Sequence, residues 1–478
     1  MKLYDTMARE MRELTAEDGE SFRFYCCGPT VYGPAHIGNF RTFVLQDVFR
    51  RVLQLSGQKT QHVRNITDVD DKTIRDSRAA DKSLTEFTEA WTVKFRADCE
   101  ALNLLAPHDE PSAVAHIPQQ VALIEELMEK GHAYQSEDRS VYFKVTSFES
   151  YGCLSHLDQR ELRAGGSEGS AAVADDEYEK DAVADFALWK ARKEEDGENF
   201  WPSPWGEGRP GWHLECSAMC REYLGDTFDL HSGGVDLVFP HHENEIAQSE
   251  AASGKTFARH WFHITHLMVD GGKMSKSLGN MYTLADLQER GFTANELRYV
   301  LISGHYRHPL NFTLQSMADA KKALLRIAKA GQALLQRAGK REQATGEGDC
   351  EADILQHDFV YFKSAYQSLL QDLNTPEALG RIFSELRELK VDQLRAEQAL
   401  EAWSDLKWIL LALGLSFPQV EEKAGVEVPA EISELAEQRW QAKQAKEWAQ
   451  SDALRDKLLE KGWEVKDGKD GYELCPRN

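Results

Sequence analysis

The chain has no hydrophobic run long enough for a bilayer. Its longest, Trp408 to Leu415, falls far short of the roughly 20 apolar residues that a spanning helix needs, so no membrane association is expected. The first twenty residues lack the apolar core of a secretory signal, which leaves the cytoplasm as the expected location. Positive charge is scarce as well. Lys and Arg number 56 against 79 Asp and Glu, a net charge of −23. That balance excludes broad, nonspecific adhesion to nucleic acid but leaves room for a local basic groove. The eight cysteines are irregularly spaced in a long chain, so they make no disulfide framework and are expected as free thiols. There are no tandem repeats.

What is present suits a large globular protein. With 478 residues, 42% hydrophobic and 28% charged, the chain has material for two to four domains and at least one sizeable core. The apolar run at 22–26 reads as a strand, 38–56 as a helix carrying Phe40, Val44, Val48 and Val52, and 61–66 as a second strand. Such a βαβ unit favours a parallel sheet with a nucleotide at the carboxyl ends of its strands. Residues 83–134 read as mostly helical, broken near Pro107 and Pro111. A Gly/Ser/Ala/Asp-rich stretch at 165–176 and a Pro/Gly-rich one from Trp201 to Trp212 follow. A second strand–helix half comes next, with strands at 227–230 and 263–269 and a helix at 240–252 that Pro240 opens. The nucleotide fold is thus split by an insertion at about 110–200. Beyond it, 320–336 and 360–412 have the three-and-four apolar spacing of a helical bundle. Polar linkers lie at 339–353 and 418–431, and the chain closes with two helices and a short hairpin-like end.

Two short motifs carry phosphate chemistry. His36-Ile37-Gly38-Asn39 sits between the first strand and its helix, where unpaired backbone N–H groups make an anion site. Lys273-Met274-Ser275-Lys276-Ser277 places two ammonium groups on a glycine-flanked loop, suited to a polyphosphate whose charge moves during reaction. In this order and separation they resemble the two signature motifs of class I aminoacyl-tRNA synthetases. The first departs from the family by ending in Asn39, where His is usual. Asn donates a hydrogen bond but cannot become cationic.

A third constellation suits a metal. His241 and Glu245 lie four apart, on one face of the expected helix. With cysteines near residue 27 and residue 216 they make a sulfur, nitrogen and oxygen set that favours Zn²⁺. Cys26 and Cys27 alternate across the strand, so only one can face the site, and Cys216 and Cys220 share a helix face, so either could.

Longer stretches resemble the cysteinyl-tRNA synthetase family. They are Cys27-Gly28-Pro29-Thr30-Val31-Tyr32, Arg64 through Lys72 (RNITDVDDK), Gly211 through Met219 (GWHLECSAM), Phe239 through Glu245 (FPHHENE), Ser303 through Arg307 (SGHYR) and the end segment around Ala453 to Leu458. The resemblance covers nearly the whole chain, with 165–176 as a departure. It implies a ligase with a Rossmann-like α/β catalytic domain at 1–270 and its insertion at about 110–200. A lysine-loop and stem-contact region at 271–318, a helical bundle at 319–417 and an anticodon-binding domain at 418–478 would follow. It implies one Zn²⁺ on Cys27, Cys216, His241 and Glu245, a cysteine pocket formed by Cys27, Thr67, Trp212 and His231, with His213 and His242 nearby, and Mg²⁺ entering with ATP. ATP would meet His36, Gly38, Asn39, Gly234, Asp236, Lys273 and Lys276, of which His36, Asn39, Lys273 and Lys276 would act on the phosphates. The partners implied are L-cysteine, ATP and tRNA(Cys), with the chain acting as a monomer.

A metal has a physical purpose there. Serine differs from cysteine by one atom, and shape alone separates such a pair by about 1–3 kcal/mol. A thiolate binds zinc, whereas a hydroxyl stays protonated and binds poorly, so no editing domain is expected. Arg439, Trp440, Lys443, Lys446, Trp448, Arg455 and Lys457 mix cations with aromatics as RNA recognition requires, with Glu437, Glu447, Asp452 and Asp456 among them. Two other readings compete. A cysteine-adenylating ligase with an amino-sugar acceptor would lack residues 320–478, and a non-catalytic paralogue would be free to lose the phosphate and metal residues that this chain keeps together.

Overall fold

The structure is a computed structural model that describes residues 1–156, 185–274, 279–340, 357–417, 429–467 and 471–476. Residues 165–176, Ser275, Lys276 and Ser277, and most of the 339–353 linker lie outside the described residues. Chain contacts divide the protein into two units, Met1–Pro418 and Gln419–Asn478.

The first unit is built around a parallel sheet. Its strands are β1 (Ser21–Cys26), β2 (Lys59–Arg64), β3 (Phe228–Gly234) and β4 (Ala258–Ile264), in the spatial order β4-β3-β1-β2. Helix α1 (Ile37–Leu55) connects β1 to β2, and α2 (Trp212–Leu224) leads into β3. Helix α3 (Glu243–Ser253) connects β3 to β4. Since β1 runs out to one side and β3 to the other, the order reverses between them. The carboxyl ends of these two strands therefore open a crevice, the usual ligand position in such a sheet. Cys27 and Gly234 stand at those ends, and Asn65 and Thr265 follow the flanking strands β2 and β4.

Helix α1 is buried on nearly every face. Phe40, Val44, Val48 and Val52 form the expected apolar row. Arg41, Asp47 and Arg51 are buried too, at 0%, 4% and 0% exposure, so these polar positions do not make a solvated face. Arg41 donates to the carbonyls of His266 (2.7 Å), His305 (3.1 Å) and His308 (2.7 Å), tying α1 to the strand after β4 and to the 303–308 segment. The short strand Leu267–Val269 then leads into Gly272–Lys273.

Between β2 and α2 the chain forms helices Leu84–Ala101 and Ile117–Glu129 and a separate antiparallel sheet. That sheet pairs Ala133–Gln135, Val141–Phe143, Phe186–Ala191 and Gly208–Pro210 in order, around its own core of Leu123, Ile124, Leu127, Phe143, Trp189 and Leu214. Beyond the parallel sheet, helices Leu314–Arg337, Lys363–Leu370, Thr375–Glu388 and Ala396–Leu413 share one apolar core with α1.

The second unit packs helices Ala430–Gln444 and Trp448–Glu460 against the hairpin Trp463–Asp467/Tyr472–Pro476, over Ile432, Ala436, Leu458, Trp463 and Val465. Arg439 is buried and forks onto Asp467 (2.5 and 2.7 Å), and Lys443 bonds the same carboxylate (2.7 Å). That pairing occupies two of the cations expected to meet RNA. Trp448 is 59% exposed.

Candidate functional site

Cys27 follows β1 directly, and its sulfur turns toward α2 and α3. Cys26 points the other way, into the apolar core behind the sheet. Strand alternation left that choice open, and the burial of Cys26 among phenylalanines and leucines decides it. Cys216 lies on the second turn of α2 with Cys220 one turn on, and only Cys216 enters the donor cluster. His241 and Glu245 come from the entrance of α3. Phe239 is extended (φ −140°, ψ 134°), and the helical run opens at Pro240 as expected, first as a wider turn through His242 and then as α3 from Glu243. His241 Nε2 still reaches Glu245 Oε1 at 3.0 Å.

The donor atoms of Cys27, Cys216, His241 and Glu245 all lie within 4.8 Å of one another, and all four residues are buried. A tetrahedral zinc with bonds of about 2.0–2.3 Å needs donors about 3.3–3.8 Å apart, so the set would contract only slightly around one. Two sulfurs, an imidazole and a carboxylate are also the donor types that zinc favours, so the residues present fit the ion. A second grouping, Cys27, His231, His242 and Glu245, overlaps the first. Its histidines already hold partners inside the grouping and beyond it. His231 Nε2 meets Glu245 Oε2 at 2.8 Å, and His242 Nδ1 meets His263 Nε2 at 2.8 Å, which continues to Thr6 Oγ1 at 2.8 Å. His242 Nε2 lies 3.3 Å from Cys27 Sγ. These rings brace the cluster from behind.

Charge is distributed unevenly within it. Burial opposes ionisation of Cys216, but hydrogen bonding with Cys27 and the adjoining His241 bring its thiol down to about 6. Burial likewise disfavours a charge on His241, yet Glu245 and Cys216 raise it to about 10. Burial would raise Glu245, and His231 and His241 hold it near 2. Cys27 is pushed well above the usual thiol range, first by burial and then by Cys216. A thiolate, an imidazolium and a carboxylate thus sit together, and a dication entering would displace protons from His241 and Cys27. Burial keeps His213, His242 and His263 neutral.

Around the cluster, Trp212 is 41% exposed, with its ring 4.4 Å from that of His241. It stands at the start of α2 as a partial cover. His213 Nδ1 lies 3.0 Å from His241 Nδ1. Thr67 is buried, with its hydroxyl 2.5 Å from Glu215 Oε1 and 3.0 Å from Asn65 Nδ2. Asn65 Oδ1 in turn accepts from Gly28 N at 2.8 Å. Sequence pattern assigns no role to Glu215 or Asn65. Their signal is burial, which a sequence does not display, and burial raises the Glu215 carboxyl well above its usual range. The backbone at Gly28 passes so close that a Cβ there would fall 1.6 Å from the Asn65 carbonyl oxygen. Gly28→Ala is expected to destabilise the protein by about 1–3 kcal/mol through this overpacking, and to weaken Zn²⁺ binding by displacing Cys27 from the donor cluster. Thermal unfolding and Zn²⁺ titration check the two effects.

The described ends of the two short motifs also come together. His36 caps α1, with its Nδ1 accepting from Asn39 N (3.2 Å) while Asn39 Oδ1 accepts from His36 N (3.1 Å). Met274 packs on this turn so closely that a Cβ at Gly38 would lie 2.3 Å from its terminal methyl. On the far side of the lysine loop, Tyr282 O accepts from Ile37 N at 2.9 Å. Both flanks of the loop are therefore anchored at the N-terminus of α1. Lys273 is exposed, and Lys276 lies between the anchors but outside the described residues. Gly234 ends β3, and Asp236 is exposed in the turn that follows.

Comparison with known proteins agrees with this layout. The family described as tRNA synthetases class I (C) catalytic domain matches residues 14–322. A protein of Opitutus terrae named cysteine--tRNA ligase is 50% identical over 479 residues, covering 100% of this chain and 99% of its own. One of the same name from Protochlamydia amoebophila is 44% identical, covering 99% and 97%. Among solved structures, methionyl-tRNA synthetase of Mycobacterium tuberculosis bound by methionyl-adenylate superposes with a TM-score of 0.59 at 12% identity, over 84% of this chain and 92% of its own, a likeness of fold.

Proposed function

Because the chain belongs to the cysteine--tRNA ligase family of class I aminoacyl-tRNA synthetases, and is thus a ligase that charges tRNA at the expense of ATP, we propose that it selects L-cysteine through a zinc site made by Cys27, Cys216, His241 and Glu245. The observation that carries this reading is the convergence of those four buried donors at the carboxyl ends of β1 and β3, beside Trp212. Bound there, zinc would supply a partner for the thiolate of cysteine that the hydroxyl of serine satisfies poorly.

The chain's own residues would do the rest. Thr67 and His231 border the amino acid, and Trp212 excludes water above it. The amino-acid carboxylate attacks the α-phosphate of Mg-ATP, forming cysteinyl-adenylate and releasing pyrophosphate. His36, with Nδ1 used as an acceptor, carries its ring proton on Nε2, where it can donate to a phosphate oxygen. The backbone N–H groups at Gly38 and Asn39 add a helix N-terminus to the same anion. Lys273 and Lys276 neutralise charge on the departing pyrophosphate. Asp236 and the open backbone at Gly234 hold the ribose. The terminal ribose hydroxyl of tRNA(Cys) then attacks the adenylate carbonyl and AMP leaves.

In this reading residues 1–270 are the catalytic domain with its insertion at about 110–200, 271–318 the lysine loop and stem-contact region, and 319–417 the bundle. Residues 418–478 read the anticodon, with the exposed Trp448 available for stacking. The full-length match to relatives named for tRNA charging sets the amino-sugar acceptor aside.

The test is ATP–pyrophosphate exchange on protein of known zinc content, with serine as the control. Exchange with cysteine is expected to exceed that with serine by more than the roughly 10–200-fold that pocket shape provides. The preference is expected to collapse after chelation or in Cys216→Ala. Equal use of both amino acids by zinc-replete protein would sink the metal reading.

A further inference from the structure

The chain enters the lysine loop through a hairpin. Leu267–Val269 pairs antiparallel with Gly272–Lys273, Met268 opposite Lys273 and Val269 opposite Gly272, so Asp270 and Gly271 alone make the turn. Both have positive φ, 50° and 78°, the left-handed pair that a two-residue hairpin needs and that Asp-Gly adopts readily. Such a turn leaves the N–H groups of its two residues outside the hairpin's own ladder. Here both are taken by one neighbouring strand, Leu310–Phe312, which runs parallel to Leu267–Val269. Asp270 N donates to the Phe312 carbonyl at 3.0 Å, a bond that any residue at 312 would accept. Gly271 N donates to Asn311 Oδ1 at 2.7 Å, a bond that needs an acceptor side chain of that reach. Asn311 is itself exposed, so it fills no core.

The strand that carries Asn311 belongs to the same frame as α1. Arg41 of α1 holds the carbonyls of His305 and His308 just ahead of it, Leu310 N donates to the His266 carbonyl at 3.2 Å, and Phe312 is buried in one core with Phe40 and Val44. Asn280 Nδ2 also reaches the Lys273 carbonyl at 3.2 Å, but Asn280 stands on the far flank of the loop rather than on this frame. Asn311 therefore references the short strand of Lys273 to the scaffold that presents His36.

We propose that Asn311 is a positioning residue for adenylation, which holds the Asp270–Gly271 turn so that Lys273 is aimed at the departing pyrophosphate. This rests on the reading above that Lys273 acts on the phosphates. Asn311 touches no substrate and acts through the hairpin. Without its bond the hairpin is free to tilt at its tip, and a charge-stabilising group loses much of its effect when displaced by about 1 Å. Stability should hardly change, because an exposed side chain outside any core contributes little to it.

The experiment measures ATP–pyrophosphate exchange on full-length wild type, Asn311→Ala, Asn311→Asp, Lys273→Ala and the double variant Asn311→Ala/Lys273→Ala, with the melting temperature of each. Asn311→Ala is expected to lower kcat about 10-fold, with the cysteine KM and the melting temperature at their wild-type values. Asn311→Asp should restore most of the rate, because its carboxylate still accepts from Gly271 N. In the Lys273→Ala background the change at Asn311 should add little, since the group it aims is gone. An unchanged kcat in Asn311→Ala would overturn the inference, as would a loss of equal size in both backgrounds or one that Asn311→Asp fails to restore. A loss accompanied by a lower melting temperature and a raised cysteine KM marks a merely structural asparagine and overturns it too. If Lys273→Ala exchanges as wild type does, the phosphate role of Lys273 itself falls. A slow Lys273→Ala beside an unaltered Asn311→Ala removes only the role of Asn311.

Discussion

Replacing Asp47 with alanine is expected to lower the stability of the unit formed by residues 1–418 by roughly 3–5 kcal/mol, read as a shifted urea midpoint. Asp47 Oδ2 accepts from Arg51 Nε at 2.7 Å and pairs closely with Arg298, while Oδ1 accepts from Leu105 N at 2.8 Å. Both guanidinium groups are completely buried. Their other donors bond the carbonyls of Leu102 (2.9 Å), Asn103 (2.6 and 3.1 Å), Leu411 (3.3 Å) and Leu413 (2.8 Å), at the carboxyl ends of helices 84–101 and 396–413. Helix dipoles favour cations there, but two buried positive charges without a carboxylate would remain. Removing one partner of a buried pair costs more than the pair contributes, because the survivor is stranded. A second change, Arg298→Met, is therefore expected to restore part of the loss, and a double-mutant cycle measures it. The sign with pH is set by the carboxylate. Burial would raise Asp47, but Arg51 and Arg298 outweigh it and hold the group below the usual aspartate range. Its contribution is complete above about pH 4 and is lost as pH falls through the lower folded value.

That hub illustrates which parts of the protein a sequence displays. The row Phe40, Val44, Val48, Val52 announced α1, but Arg41, Asp47 and Arg51 lie where a solvated face would be read, and their burial depends on carbonyls, a backbone N–H and the Arg298 guanidinium, all more than 40 residues away along the chain. The strand at 227–230 was read short. Phe228–Gly234 continues through His231, Ser232, Gly233 and Gly234, which show no apolar alternation because His231 meets Glu245 on one face, Ser232 accepts from Gln46 of α1 on the other, and two glycines follow. Local pattern failed where local residues serve chemistry. The insertion's antiparallel sheet went unread because its strands are brief and interrupted. The metal donors were legible as types and spacings. Choosing Cys27 over Cys26 needed the knowledge of which face of β1 meets α2, and that is tertiary information. Asn65 and Glu215 are informative only through burial and reciprocal bonding, and a sequence states neither.

His36→Ala is expected to reduce the exchange rate by about 10²–10³-fold, the usual effect of removing one preorganised donor to a developing charge. Loss of the helix cap would also cost about 0.5–2 kcal/mol of stability, so alanine alone confounds two roles. Serine separates them. Its hydroxyl can accept from Asn39 N as His36 Nδ1 does, preserving the cap, but it cannot extend a ring N–H toward the phosphates. His36→Ser should therefore melt like wild type and still lose most of its rate, with the cysteine KM little changed because His36 belongs to neither donor grouping. Asn39→His tests the departure in the same motif. A neutral histidine there can accept from His36 N through Nδ1 as Asn39 Oδ1 does, so the reciprocal cap survives. What it adds is a ring that can carry charge beside the phosphates. If cationic assistance limits the rate, Asn39→His accelerates exchange at low pH and the gain fades as pH rises through the histidine range near 6.5. If the helix N-terminus and the lysines already supply that charge, the rate stays flat across the same range, and Asn39 is then a neutral donor whose role is to close the capping turn.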